Sequence, residues 1–173
     1  LQETWMTPEE QDSLVYQLEN FRGNFTCVGR GKGIAVYVRQ ELCESEAYRY
    51  QELCKEHLQV GKISLNDVDI INVYRSQEEP FYTMAHYLSE MIDLNKTSLI
   101  VGDFNYDAAN ETNEVSKYLS KQQFKQLVTS PTHLGGHILD QAHLRQSLRK
   151  KNAEVKTFTP YYSDHDIVTV ILR

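Results

Sequence analysis

A mixed α/β or α+β layered domain is what this sequence predicts, on three observations. Strand-like segments outnumber helical ones, the two kinds alternate along part of the chain, and no internal repeat or linker divides the 173 residues. A chain of that length holds one domain with a substantial core, so residues 1–173 are read as a single unit. Its 40% hydrophobic and 24% charged residues are those of an ordinary globular protein. No apolar run approaches the roughly twenty residues that a membrane helix needs. Eighteen basic against 24 acidic residues give a net charge of −6. That argues against a protein that holds nucleic acid by coating itself in positive charge, yet leaves room for an enzyme acting on phosphates through a divalent cation, which inverts the local electrostatics. Cys27, Cys43 and Cys54 are odd in number and lack metal-ligand spacing, and no secretory signal opens the chain. A reducing, intracellular setting is expected.

Taken in order, residues 1–5 read as a strand already under way, and because the chain opens on Leu1 the expectation is a domain whose first strand lies upstream. Thr7, Pro8 and Glu10 form a helix-start signal, predicting a short helix to about Leu18. Gly29, Gly31 and Gly33 punctuate a turn before a strand at 34–38, rich in β-branched and aromatic residues. They make no dinucleotide fingerprint, since that motif must lead into a helix. Leu58, Val60, Ile63 and Leu65 alternate with a change of phase at Gly61, which predicts a β-bulge. Asn66 and Asp67 turn the chain into a partner strand at 68–74. Apolar residues at helical spacing predict an amphipathic helix over 81–94, and the apolar run at 98–102 a strand buried on both faces. A helix at 113–122 and strands at 137–144, 154–160 and 167–172 complete the reading.

Short polar groups interrupt or end these strands. Glu3 lies on the first; Asp103 and Asn105 follow LIVG; Asp140 sits within an apolar strand; Ser163, Asp164 and His165 precede the last. Carboxylates near strand ends that converge on one cleft suit a hard cation such as Mg²⁺. Each also has a plainer reading. Glu3 alone is a solvated strand residue, Asp103 with Asn105 a turn or helix cap, and Tyr74 an aromatic packed on the core. Asp140 is harder to set aside, because a carboxylate in an apolar strand is costly unless paired, and His165 is a natural partner.

The segments LQETW (1–5), GKGIAVYVR (31–39), INVYRS (71–76), LIVGDFN (99–105), ILDQ (138–141) and SDHD (163–166) together resemble, in order and spacing, the endonuclease/exonuclease/phosphatase superfamily. Deoxyribonuclease I, abasic-site endonucleases and the endonucleases of non-LTR retrotransposons share that fold. The wording of INVYRS, THLGGHILDQ and YYSDHD looks most like endonuclease domains of mobile elements, of the non-LTR retrotransposon or Helitron-like kind. The resemblance spans essentially the whole chain.

It implies a four-layer α/β sandwich with two packed mixed β-sheets, deoxyribonuclease I-like, truncated here at its N-terminus. By match to the motifs, Glu3 and Asp164 would hold Mg²⁺, with Mn²⁺ able to substitute. Asp103 would activate the attacking water, Asn105 and Tyr74 would contact the scissile phosphate, and His165, oriented by Asp140, would donate to a phosphate oxygen. Arg145, Arg149, Lys150 and Lys151 form either a solvated loop or a set of backbone-phosphate contacts beside the cleft. The expected activity is Mg²⁺-dependent phosphodiester hydrolysis by a DNA endonuclease nicking one strand. Alternatives are a phosphatase acting on a phosphoinositide or other small phosphoester, and a nucleic-acid-binding remnant that has lost catalysis. The expected partner is DNA and not a membrane, for a monomer as an isolated domain, fused to a reverse transcriptase or helicase in a longer protein and working in the nucleus. Three departures stand out. The family's first-strand Asn would lie before Leu1; Gln77 stands where abasic-site endonucleases carry Asn, which argues against strict abasic-site specificity; and Gln141 varies the residue after Asp140.

Overall fold

The computed structural model describes residues 1–173 apart from 3, 5, 11–16, 27–32, 111 and 148–151. In chain order its elements are β1 (Phe21–Thr26), β2 (Ile34–Arg39), α1 (Gln40–Cys43), β3 (Arg49–Cys54), β4 (Leu58–Leu65), β5 (Val68–Arg75), α2 (Phe81–Met91), β6 (Thr97–Asp103), α3 (Glu114–Lys121), β7 (Lys125–Gln126), β8 (Asp140–Arg145), β9 (Ala153–Phe158) and β10 (Ile167–Leu172).

Six strands form a central sheet in the order β3-β4-β5-β6-β8-β7. Only β5 and β6 run parallel, and α2 supplies the crossover that parallel neighbours require. Pro80 precedes α2, whose Met84, Leu88 and Met91 are buried on one face. Asn113 caps α3, its side chain accepting from the backbone N–H of Val115 and Ser116. The two helices close one face of the sheet over a core that includes Val60, Ile71, Val73, Leu88, Ile100 and Leu119. Against the opposite face lie two antiparallel ribbons. Val36 and Val38 of β1/β2 pack near Ile63, and Val155, Val168 and Val170 of β9/β10 pack near Val101 and Ala142. This is the mixed α/β layered sandwich that the resemblance implies, with the second sheet divided into two ribbons.

The bulge expected at Gly61 is absent. β4 pairs without interruption on both sides, Gly61 standing opposite Glu52 and Asn72. The phase change has another cause. β4 is buried on both faces, so Leu58 and Val60 turn to the helices while Ile63 turns to the β1/β2 ribbon. On the helix face Lys62 takes the next place, its Nζ 2.9 Å from Asp69 Oδ2 and 2.7 Å from the carbonyl oxygen of Met91. Near the N-terminus, Pro8–Glu10 forms a single 3₁₀ turn in which the Thr7 N–H donates to the Glu10 carboxylate at 2.8 Å; residues 11–16 of the expected helix lie outside the described residues. Cys43 is free, whereas Cys54 is disulfide-bonded. β1, β3, α1 and β7 were not expected from the sequence.

Candidate active site

Three neighbouring strands bring the motif residues to one end of the sheet. In register, Tyr74 of β5 stands beside Asp103 of β6, and Asp103 stands opposite Asp140 of β8. Because β5 and β6 end where β8 begins, side chains 29 and 37 residues apart in sequence become neighbours. Gly102 makes this possible. Its φ is +144°, and a Cβ there would lie 1.8 Å from the carbonyl oxygen of Val73, so only glycine lets β6 approach β5 this closely just before Asp103.

Asp103 is buried, and its carboxylate accepts from the Asn105 N–H at 2.9 Å and from Asn105 Nδ2 at 3.1 Å. Asn105 itself adopts a left-handed backbone with φ of 49°, and its amide also donates to the Arg75 carbonyl at 2.8 Å. Asn105 thus orients the Asp103 carboxylate. Arg75, which the sequence reading did not single out, is fully buried behind it. Its guanidinium donates to the Phe104 carbonyl at 3.0 Å and stacks 3.8 Å above the Tyr106 ring, holding the loop that follows β6.

His165 Nδ1 lies 2.8 Å from Asp140 Oδ2. The Thr132 hydroxyl accepts from the backbone N–H of Leu139 and Asp140, fixing the entry to β8. Burial lifts the Asp140 carboxyl above the usual carboxylate range, while the hydrogen bond and charge of His165 pull the other way. Burial also works against charge on His165, but the Asp140 hydrogen bond and the charges of Asp140, Asp103 and Asp164 more than offset it and hold the imidazole above its ordinary value.

Asp103, Asp140, Asp164 and His165 line one open cleft of about 930 Å³, with Gln2 and Asn72 on its wall. Gln2 and Asn72 are joined by a 2.6 Å hydrogen bond. Tyr74 is buried beside Asp103, and neither it nor Asn105 is among the residues that line the cleft. Asp164 is largely exposed. Its own backbone N–H, together with the charge of His165 and a hydrogen bond from His133, holds it below the usual carboxylate range.

Three carboxylates opening onto one cleft are the oxygen donors that a hard divalent cation takes, so the residues present fit such an ion. Glu3 lies outside the described residues. Side-chain atoms of His133, Asp164 and His165 also come within 4.8 Å of one another. Arg145 does not join the cleft. It pairs with Ser98 at the far end of β6, about 17 Å along the strand from Asp140 at the usual rise per residue, which corrects its expected place beside the phosphate path. Arg149, Lys150 and Lys151 lie outside the described residues.

Residues 1–165 match the sequence profile of the Endonuclease/Exonuclease/phosphatase family. No curated protein matches the sequence. Among solved structures, the fold is similar to the endonuclease domain of TRAS1, a telomere-specific non-LTR retrotransposon, with a TM-score of 0.62 and 13% identity over 90% of this chain and 80% of that one. It is similar to the cytolethal distending toxin of Haemophilus ducreyi, with a TM-score of 0.61 and 17% identity over 99% of this chain and 83% of that one. The toxin from Actinobacillus actinomycetemcomitans gives 0.63 and 14% with the same coverage. At such identities the structural likeness is one of fold. The profile match covers almost the whole length, and by it this chain belongs to the endonuclease/exonuclease/phosphatase family.

Proposed function

We propose that this chain is a divalent-metal-dependent phosphodiester hydrolase that nicks one strand of DNA. The observation that supports this most directly is the placement of Asp103 beside the Asp140–His165 pair in one open cleft. Phosphodiester hydrolysis needs a water activated and donors aimed at the non-bridging oxygens. Asp103, both of whose oxygens are steadied by Asn105, accepts the proton of the attacking water. His165, which lines the cleft, commits Nδ1–H to Asp140, and this leaves Nε2 for the substrate. The carboxylates around it favour the imidazolium, so it donates to a phosphate oxygen as negative charge builds there. Asp164 and, by match to the family motif, Glu3 would hold Mg²⁺, or Mn²⁺ in its place, which when bound supplies charge stabilisation to the phosphate oxygens.

DNA as the substrate draws support from the openness of the cleft and from the likeness to a retrotransposon endonuclease domain. The test is supercoiled plasmid incubated with the protein in Mg²⁺ and in EDTA. Open-circular product that forms only with the cation is expected. Phosphate release from inositol phosphates without nicking would instead favour the phosphatase reading, and DNA binding with neither activity would leave a binding remnant.

A further inference from the structure

We infer that His133 is a positioning residue of this site: it donates from Nε2–H to Asp164, braces the His165 ring, and is not itself a metal ligand. The inference rests on the proposed roles of Asp164 and His165.

THLGGH (132–137) forms a closed loop. The N–H groups of Thr132 and His133 both donate to the His137 carbonyl, and the Gly136 N–H donates to the His133 carbonyl at 2.9 Å. The loop is laced to the SDHD segment by two backbone hydrogen bonds, Leu134 N–H to Asp164 O at 2.9 Å and Asp166 N–H to Thr132 O at 2.7 Å. His133 and His165 therefore face each other across a β-bridge, their rings edge to face with centroids 4.8 Å apart.

What the ring can do depends on which nitrogen carries the proton. The Gly135 backbone N–H donates to His133 Nδ1 at 2.9 Å, so Nδ1 is the unprotonated nitrogen. The one N–H of a neutral imidazole must then sit on Nε2, which points at Asp164 Oδ2 at 3.3 Å. A nitrogen that bears its proton has no lone pair for a cation. The cluster of His133, Asp164 and His165 resembles a metal triad by distance, but its hydrogen bonds make His133 a donor. Glycine is needed for this lock. A Cβ on Gly135 would lie 2.9 Å from His133 Nδ1 and 3.3 Å from Cε1. Held this way, Asp164 keeps its other oxygen for the cleft, and His165 keeps the ring plane that its bond to Asp140 requires.

The test uses the full chain and two readouts. In EDTA, long-range ¹H–¹⁵N correlation spectra of the imidazoles should show His133 as the Nε2–H tautomer, and Gly135→Ala should abolish that pattern. In plasmid nicking, His133→Gln places an amide donor near the position of Nε2 and should stay close to the parent. His133→Asn, whose amide falls near Nδ1, and His133→Ala should lose on the order of tenfold or more in rate and need correspondingly more Mg²⁺, with melting temperature and DNA affinity unchanged. An Nδ1–H tautomer, a Gln variant as poor as Ala, parent-like rates in all three, or a His133 resonance that shifts first on Zn²⁺ addition would each overturn the inference. If the parent nicks nothing, the nuclease reading fails on its own account. His133 is then decided by its tautomer and by whether His133→Ala, unlike His133→Gln, moves the Asp164 carboxyl ¹³C resonance.

Discussion

Two acid–base pairs are anchored on the same six-stranded sheet, Lys62–Asp69 by both members and Asp140–His165 by Asp140 alone, and they are spent differently. Lys62 and Asp69, on β4 and β5, lie under the helices with side chains 9% and 0% exposed, and Lys62 turns a further hydrogen to the Met91 carbonyl. Asp140 and His165 lie on the ribbon side with side chains 14% and 30% exposed, and both line the cleft. The first pair joins a strand hairpin to the end of α2 and is closed to solvent. The second borders an open cleft. On the proposed reading, a charged pair becomes available for chemistry through its place on an open cleft, and not through the identity of its residues.

Breaking the open side should have the larger effect. Asp103→Asn keeps the shape but removes the proposed base; nicking of supercoiled plasmid is expected to fall by about 10²- to 10⁴-fold, with the melting temperature essentially unchanged. Nicking near the parent rate would reduce Asp103 to a turn residue. Asp140→Ala frees His165 to turn, and a loss of about a hundredfold is expected, again with little change in stability because burial already opposes the carboxylate's charge. Denaturant unfolding of both variants separates a chemical loss from a folding loss.

Breaking the closed side should reverse the pattern. Lys62→Met leaves Asp69 buried with Lys96, at 3.4 Å, as its remaining ion-pair partner among the described residues. A loss of about 3 kcal/mol in unfolding free energy is expected, with the rate per folded molecule preserved. The smallest effect sharpens the comparison on a single strand. β8 carries Asp140 toward the cleft and His143 toward the helices, where burial pushes the imidazole down to about 4. The unfolded chain takes up that proton near the ordinary histidine value and the folded chain resists it, so stability is fully present above pH 6.5 and is lost as pH falls toward 4. A loss of about 2 kcal/mol between pH 7 and pH 5 is expected, and His143→Gln should flatten that part of the profile. A profile unchanged by the substitution would show that another group is responsible.

The sequence already carried the central strands and the pairing of Asp140 with His165, because each motif sits at the end of an apolar run whose burial could be read directly. β3 escaped notice because it is an edge strand, RYQELC, with little buried on either face. β1 escaped because FRGNFT contains glycine and asparagine, which strands disfavour. At Gly61 the alternation was real but the inference from it was wrong, since a strand covered on both faces can change its apolar side without a bulge. Arg75 and His133 could not be seen as parts of the site from local pattern. Arg75 acts on the backbone of residue 104, and His133 on a carboxylate 31 residues away. THLGGH was noticed only as wording, and its two adjacent glycines were the available sign of a loop with close backbone approach.

The register that sets Asp103 against Asp140 also has a consequence for when the cleft is assembled. Residues 72, 103, 140 and 164–165 belong to segments that meet only through long-range pairing, whereas the β9/β10 ribbon and the β4/β5 hairpin each form between near neighbours. Contacts of large sequence separation close late, after the entropy of the intervening loops has been overcome. No partial fold, and no nascent chain that has yet to release residue 165, contains the cleft. Return of the proposed nicking activity during refolding would therefore time the docking of the last ribbon, and a chain stalled before that step would be a compact protein without the assembled cleft.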